Sequence, residues 1–266
     1  MLIKANYNQQ MCSTSCSTDY STIRLFVLGS WIMKTQQITL SIIVPVYNEE
    51  NTVITILKKV NQLKEHNISF EVIVVDDGSS DNSLALIKEN QNLYNQLISN
   101  ERNYGKGYAI KKGLELSKGK YVTFQDADLE YDPKDLLKFF TLIKNLNPDL
   151  IIGSRINYSE FTRSHNILNK YGNTLITFIF NIFYNTTFTD IYSCYVCFKK
   201  DLLNINYLKS KGFEQHAEIL CKIVKKGKKF YEVPINYNGR SHDEGKKIKF
   251  YHIFGVILQI IIRKFL

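Results

Sequence analysis

Three apolar stretches each run straight into a cluster of acidic residues: SIIVPVYNEENTV (41–53), EVIVVDDGSSDNS (71–83) and YVTFQDADLEYDP (121–133). A short β-branched run that stops at Pro, Gly or Asp and gives way to a 3.6-residue apolar rhythm reads as strand, polar loop, helix. The rest of the chain keeps that rhythm. It predicts strands over 38–46, 70–76, 95–99, 120–125 and 149–153, alternating with helices over 50–65, 81–90, 105–117 and 133–145. Such alternation implies an α/β architecture, a Rossmann-like, mostly parallel sheet with helices on both faces, because parallel neighbours need a crossover and its helix covers the sheet. Ligands of these sheets bind beyond the carboxyl ends of the strands, so the three acidic loops are expected to line one crevice.

The third loop carries the most chemistry. If the strand from Tyr121 stays extended, side chains two apart share a face, which sends Asp126 and Asp128 the same way with Glu130 next in line. Carboxylates so placed suit one hard divalent cation, Mg2+ or Mn2+, whose remaining positions a diphosphate can fill. An Asp-x-Asp triplet alone is weak evidence, since acidic residues after a strand commonly face water or cap the next helix. Its acidic neighbours strengthen it. NYGKGYA (103–109) opens a helix with two glycines but lacks the GxxxxGK[ST] phosphate-loop pattern, and it is expected to be a turn that brings Lys106 to the crevice.

At 266 residues and 44% hydrophobic, the chain can bury a sizeable core without disulfides. The odd cysteine count, Cys12, Cys16, Cys194, Cys197 and Cys221, argues for a reducing, cytoplasmic compartment. Cys194 and Cys197 lie in a strand-like run, IYSCYVCF, where a three-residue offset separates them to opposite faces, so an apolar-core role is expected rather than zinc. The five histidines show no ligand spacing and read as surface or loop residues, with His242 between two basic positions. A net charge of +9 points to an anionic partner. Residues 1–32 are polar with one short apolar piece and read as an extension, 33–240 as the domain, and 241–266 as a basic loop followed by an interfacial or packing helix. That last segment and TLITFIFNIFY (174–184) are apolar but too short to read as membrane spans, and the flanking Lys246, Lys247, Lys249, Arg263 and Lys264 suit an anionic membrane surface.

Taken in order, PVYNEEN, VVDDGSSD, NYGKGYA, QDADLEYDP, IIGSR, FTDIYSCY, GFEQHAEI and EVPINYNGR with EGKKI resemble the motifs of family-2 glycosyltransferases of GT-A fold, closest to dolichyl- and polyprenyl-phosphate sugar synthases. The likeness runs from residue 38 to about residue 250. It implies that Pro45, Tyr47 and Glu49 hold the nucleoside, that Val75 and Asp77 lie near base and ribose, and that Asp126, Ala127 and Asp128 form the metal and diphosphate motif, with Glu130 in a third ligand position. It likewise implies a phosphate contact for Arg155, loop-borne cations Arg240 and Lys246 closing over donor and acceptor phosphates, and an acceptor-side location for Asp190 and Glu218. Arg163 and Lys170 are further candidates for the acceptor phosphate. Val196 stands where the relatives usually carry Lys or Arg, and Gln215 and His216 replace their acidic-aromatic wording.

The resemblance implies an inverting transfer of a single hexose from a nucleotide sugar to a polyprenyl phosphate, at the inner membrane face and without nucleic acid; the QxxRW motif of processive synthases is absent. A phosphate monoester is already anionic at neutral pH and needs no base, whereas a hydroxyl acceptor on a cell-surface glycan would draw on Asp190, Glu214 or Glu218. A non-catalytic nucleotide- or nucleic-acid-binding module is the alternative of another class; it predicts salt-sensitive oligonucleotide binding.

Overall fold

The computed structural model describes residues 39–156, 167–212, 214–240 and 252–265, and everything below refers to them. They build a seven-stranded sheet in the order β3-β2-β1-β4-β6-β5-β7, from β1 (Leu40–Val46), β2 (Phe70–Asp76), β3 (Gln96–Ser99), β4 (Tyr121–Phe124), β5 (Leu150–Ser154), β6 (Val196–Lys199) and β7 (Phe230–Pro234). Every pairing is parallel except those of β6, which runs antiparallel between β4 and β5. The predicted strands all form, to within two residues at each end.

Helices cover both faces, as the unbroken burial of β2 and β4 requires. One core gathers β1 residues Leu40, Ile42 and Val44 with α1 (Val53–Gln62), α2 (Ser83–Glu89) and α4 (Leu136–Leu146). The other holds α3 (Lys106–Leu116), α5 (Ile167–Tyr184), α6 (Gln215–Lys226) and α7 (His252–Phe265). In α1 the buried residues Val53, Ile56, Leu57 and Val60 form one stripe. Burying each contributes about 1.5–3 kcal/mol.

Registry shapes the crevice. β1 pairs with β2 through Val46↔Asp76 but with β4 only through Ile43↔Phe124. The carbonyl of Ile43 still accepts from Gln125 N–H, after which the chain of β4 turns away. Pro45 lies past that last pair, and its missing N–H falls on the β4 side, where the ladder has ended.

α7 packs on the domain, since Val256 and Ile260 are wholly buried against α5 and α6. Its anchor is Glu218 of α6, expected near an acceptor. The carboxylate is fully buried and accepts from Arg263 at 2.8 Å, Lys222 at 3.0 Å and the amides of Ser210 at 2.9 Å and Lys209 at 3.1 Å. Burial pushes its pKa up, but these donors outweigh burial and hold it below the ordinary value. Glu218, a candidate on the acceptor side, thus serves as a tie between elements. Glu218→Ala is expected to cost about 3–5 kcal/mol of stability by stranding Arg263 and Lys222; a urea melt that overlays wild type would rule this out.

Candidate active site

The first two acidic loops are joined before any ligand arrives. Asn48, at φ 52° in the left-handed region that asparagine tolerates, accepts from Ser80 N–H at 2.8 Å and donates its own N–H to Ser79 Oγ at 3.0 Å. Glu49 N–H donates to Ser83 Oγ at 2.8 Å, Glu50 N–H to Asp81 at 3.1 Å, and Asn82 N–H to Glu50 at 3.0 Å. Each loop satisfies amides of the other near the helix starts, where backbone donors lack partners. Tyr47 and Pro45 stand half-buried beside this junction.

Asp77, expected near base and ribose, is bonded within the protein. Its carboxylate accepts from Asn100 Nδ2 at 2.7 Å, Gly105 N–H at 2.8 Å and Tyr104 N–H at 3.1 Å, so it pins the segment ahead of α3. The preceding Asp76 is wholly buried and leaves Oδ1 without a partner among the described residues. Asp76 is thus the aspartate with an uncommitted oxygen at the end of β2. Val75 and Ala127, also expected at the nucleotide, pack in the core at 0% and 3% exposure.

The turn after β4 gathers its carboxylates by a route other than strand alternation. The extended chain ends at Phe124, and Leu129 adopts φ 62°, a costly conformation for a branched residue. Buried Gln125 secures the turn, donating to Asp126 O at 3.1 Å and accepting from the Tyr195 hydroxyl. Lys106 meets Asp126 at 2.6 Å, as the NYGKGYA segment suggested. Gly105 makes this approach workable: its φ is 102°, and a Cβ there would lie 2.7 Å from Lys211 O. Burial disfavours charge on both partners, but their mutual attraction prevails, raising the Lys106 pKa and lowering that of Asp126.

Asp128 has no such partner. Among the described residues its carboxylate accepts only Glu130 N–H, at 3.2 Å. Burial, then the charges of Asp126 and Glu130, push it up to about 7. Glu130, expected as the third metal ligand, spends one oxygen on Arg240 N–H at 2.7 Å and the other on the Tyr237 hydroxyl at 2.9 Å. Those bonds and the Tyr131↔Tyr237 bridge lay the segment after β7 against the turn. Arg240 then reaches the Asp128 carbonyl at 2.6 Å and Glu49 at 3.1 Å. Among the described residues no group of three His, Cys, Asp or Glu is assembled for a metal.

Arg155 and Asp190 are spent on each other. Nε and Nη2 of the guanidinium grip the wholly buried carboxylate at 2.7 and 2.8 Å, and Arg155 N–H adds a third bond at 3.0 Å. Arg155 also lies 5.1 Å over the Tyr237 ring. The guanidinium expected at a phosphate and the carboxylate expected on the acceptor side are thus bonded to each other in this structure. Lys170 is exposed on α5, and Lys246, Arg163 and His242 lie outside the described residues.

His216 was missed. It lines a small cavity with Lys106, Tyr192, Cys194 and Gln215 instead of facing solvent, and its Nε2 bonds Ile191 O at 2.9 Å. Burial, with Lys106 and Arg155, lowers its pKa to about 4, so the ring is neutral at physiological pH. Cys197 is buried in the core as expected, but Cys194 sits 3.4 Å from Lys106, and burial pushes its thiol up to about 12. The sequence signals for these residues were the place of Cys194 just before β6, the place of Gln215 and His216 at the start of α6, and the departure of GFEQHAEI from the relatives' wording.

A model of glycosyl transferase family 2 matches residues 41–204. A UDP-N-acetylglucosamine–dolichyl-phosphate N-acetylglucosaminyltransferase of Methanococcus voltae is 33% identical over 215 residues, which cover 73% of this chain and 83% of that protein. The low-salt glycan biosynthesis hexosyltransferase Agl6 of Haloferax volcanii is 28% identical over 76% of this chain and 48% of its own length. A glucosyl-3-phosphoglycerate synthase of Mycobacterium tuberculosis, crystallised with Mn2+, UDP and phosphoglyceric acid, superposes with a TM-score of 0.64 at 18% identity, covering 85% of this chain and 78% of that one. The fold is therefore that of GT-A enzymes, and the chain belongs to glycosyl transferase family 2 as a glycosyltransferase.

Proposed function

We propose that this enzyme moves one hexose from a nucleotide sugar to an isoprenoid phosphate, using a divalent cation, Mg2+ or Mn2+, held at Asp126 and Asp128. The carrying observation is Asp128, a carboxylate crowded by Asp126 and Glu130 with no cation among the described residues bonded to it. Two carboxylates are too few for an all-protein cage, which fits a metal whose other ligands come from substrate phosphates. When bound, the cation supplies positive charge against the leaving diphosphate. Lys106 keeps Asp126 ionised, and Arg240 stands between the first and third loops as a further positive group. Uridine is the first base to test, since the similarly folded synthase holds UDP.

The acceptor reading is supported by how the candidate bases among the described residues are engaged. Asp190 is clamped by Arg155, Glu218 is tied to α7, and Glu214 turns one oxygen back to Gly212 N–H at 3.1 Å. A phosphate acceptor arrives already ionised and needs none of them. The Methanococcus relative's name specifies dolichyl phosphate.

A lipid acceptor calls for a surface that meets lipid. No helix among the described residues is long and apolar enough to cross a membrane. Tyr171, Leu175, Phe178 and Ile182 form an exposed stripe on α5, and Phe254, Leu258, Ile262 and Phe265 form another on α7. The two helices pack together, with Tyr184 donating to Ile260 O at 3.2 Å. Exposed Lys170 and Lys264 add positive charge, as an anionic leaflet would favour. Peripheral attachment through this face is the proposed arrangement.

Two outcomes follow. Without metal, Asp128 keeps its proton when folded and releases it when unfolded across roughly pH 4 to 7, so apo stability falls as pH climbs through that window. Asp128→Asn should flatten this part of the Tm profile, and Mn2+ with UDP should raise Tm at about pH 8 in wild type only; a variant that still responds to both would sink the metal assignment. Phe178→Ser with Leu258→Ser should cut co-sedimentation with anionic vesicles and transfer to long-chain polyprenyl phosphate by about tenfold or more, since each lost apolar anchor weakens membrane binding. Transfer to a short, water-soluble isoprenyl phosphate should be unchanged.

A further inference from the structure

The backbone that carries Lys106 is fixed on both sides. Asp77 accepts from Tyr104 N–H at 3.1 Å and Gly105 N–H at 2.8 Å, and Tyr108 N–H donates to Lys211 O at 3.2 Å. A Cβ on Gly105 or on Gly107 would lie 2.7 Å from Lys211 O, so the start of α3 has no slack. The side chain is the part that can swing. It is 24% exposed, and its bonded partners among the described residues are Asp126 at 2.6 Å and the Cys194 sulfur at 3.4 Å. That thiol is neutral, since burial pushes it up to about 12. Asp126 is therefore the one anion bonded to Lys106 among the described residues, and Asp128 is a further negative charge acting on the ammonium. These are the two carboxylates assigned above to the divalent cation.

We propose that Lys106 is an exchangeable counter-ion: its ammonium holds Asp126 in the unliganded protein, yields that carboxylate to an entering divalent cation, and turns to the diphosphate of the donor. The ion pair occupies Asp126 Oδ1, and the Cys194 thiol bonds the same carboxylate, so Asp126 becomes a metal ligand only at the expense of contacts already made. An ammonium and a divalent cation on one carboxylate repel each other at short range. Once detached, the ammonium would be a half-buried charge with only a neutral thiol beside it, which is unfavourable unless another anion arrives. The diphosphate is that anion, and it completes the shell of the same cation. Cation and donor are thereby coupled through one side chain, each binding weakly until the other is present. The fixed backbone confines the exchange to a swing of Lys106 itself, with α3 and the Asp77 loop unmoved.

The inference rests on the metal site proposed above, and the test separates the two. Mn2+ binding to the full chain would be followed by the electron paramagnetic resonance signal of the free ion at about pH 8, where the carboxylates are ionised, with and without UDP. Wild type should bind Mn2+ at least about tenfold more tightly when UDP is present. Lys106→Met should bind Mn2+ alone at least about tenfold more tightly than wild type, because no ion pair has to be broken first, and should gain less from UDP. Tighter binding is a result that damage to the site does not give. Lys106→Arg, which restores the charge, should return the affinity for Mn2+ alone toward the wild-type value. In wild type, acetylation of Lys106 by acetic anhydride, read by mass spectrometry, should be slow without ligands, faster with saturating Mn2+, and slow again with Mn2+ and UDP. Mn2+ binding by Lys106→Met that is no tighter than wild type, or a wild-type acetylation rate that Mn2+ leaves unchanged, would overturn the exchange while the metal site stands. Failure of wild type to bind Mn2+ even with UDP would overturn the metal site and this inference together.

Discussion

One ammonium neutralises one of the three carboxylates packed into the turn after β4, and that charge deficit organises the rest of the crevice. Lys106 answers Asp126, the amide and phenol donors of the segment after β7 answer Glu130, and Asp128 is left protonatable near neutrality. In a medium of effective dielectric near 20, like charges about 4 Å apart repel by about 4 kcal/mol. The polypeptide tolerates this arrangement through structure placed far away in sequence: Asp77 fixing the approach of α3, and buried Gln125 fixing the turn itself.

The crevice is rigid on one side and tethered on the other. Reciprocal side-chain bonds make the loops after β1 and β2 a single wall, so the positions of Glu49 and Asp76 are set without ligand. α6 forms the opposite side. Its first turn brings Gln215 and His216 to the cavity, and one turn later Glu218 holds Arg263 of α7. A single helix thus joins the interior of the site to the apolar outer layer.

The α/β architecture was legible because strand and helix periods differ and every acidic loop marked a strand end. Strand β6 was only hinted at by IYSCYVCF, and nothing local announced that it would run antiparallel between β4 and β5. At the site, types of residue were legible and partners were not. Asp126 and Asp128 do share one turn, yet not through alternation along an extended strand, because the chain leaves that geometry at Gln125. Asp77 and Asp76 look equivalent in VVDDGSSD, and only the path of residues 100–105 decides which keeps a free oxygen. Arg155 with Asp190, and Glu218 with Arg263, are contacts between segments 35 and 45 residues apart, for which one sequence holds no signal.

The guanidinium of Arg240 bridges the Glu49 carboxylate and the Asp128 carbonyl, spanning the loops after β1 and β4. With the two side chains only 20% and 9% exposed, this pair holds the walls of the unliganded crevice in register, and any anion entering there would compete with Glu49 for the same cation.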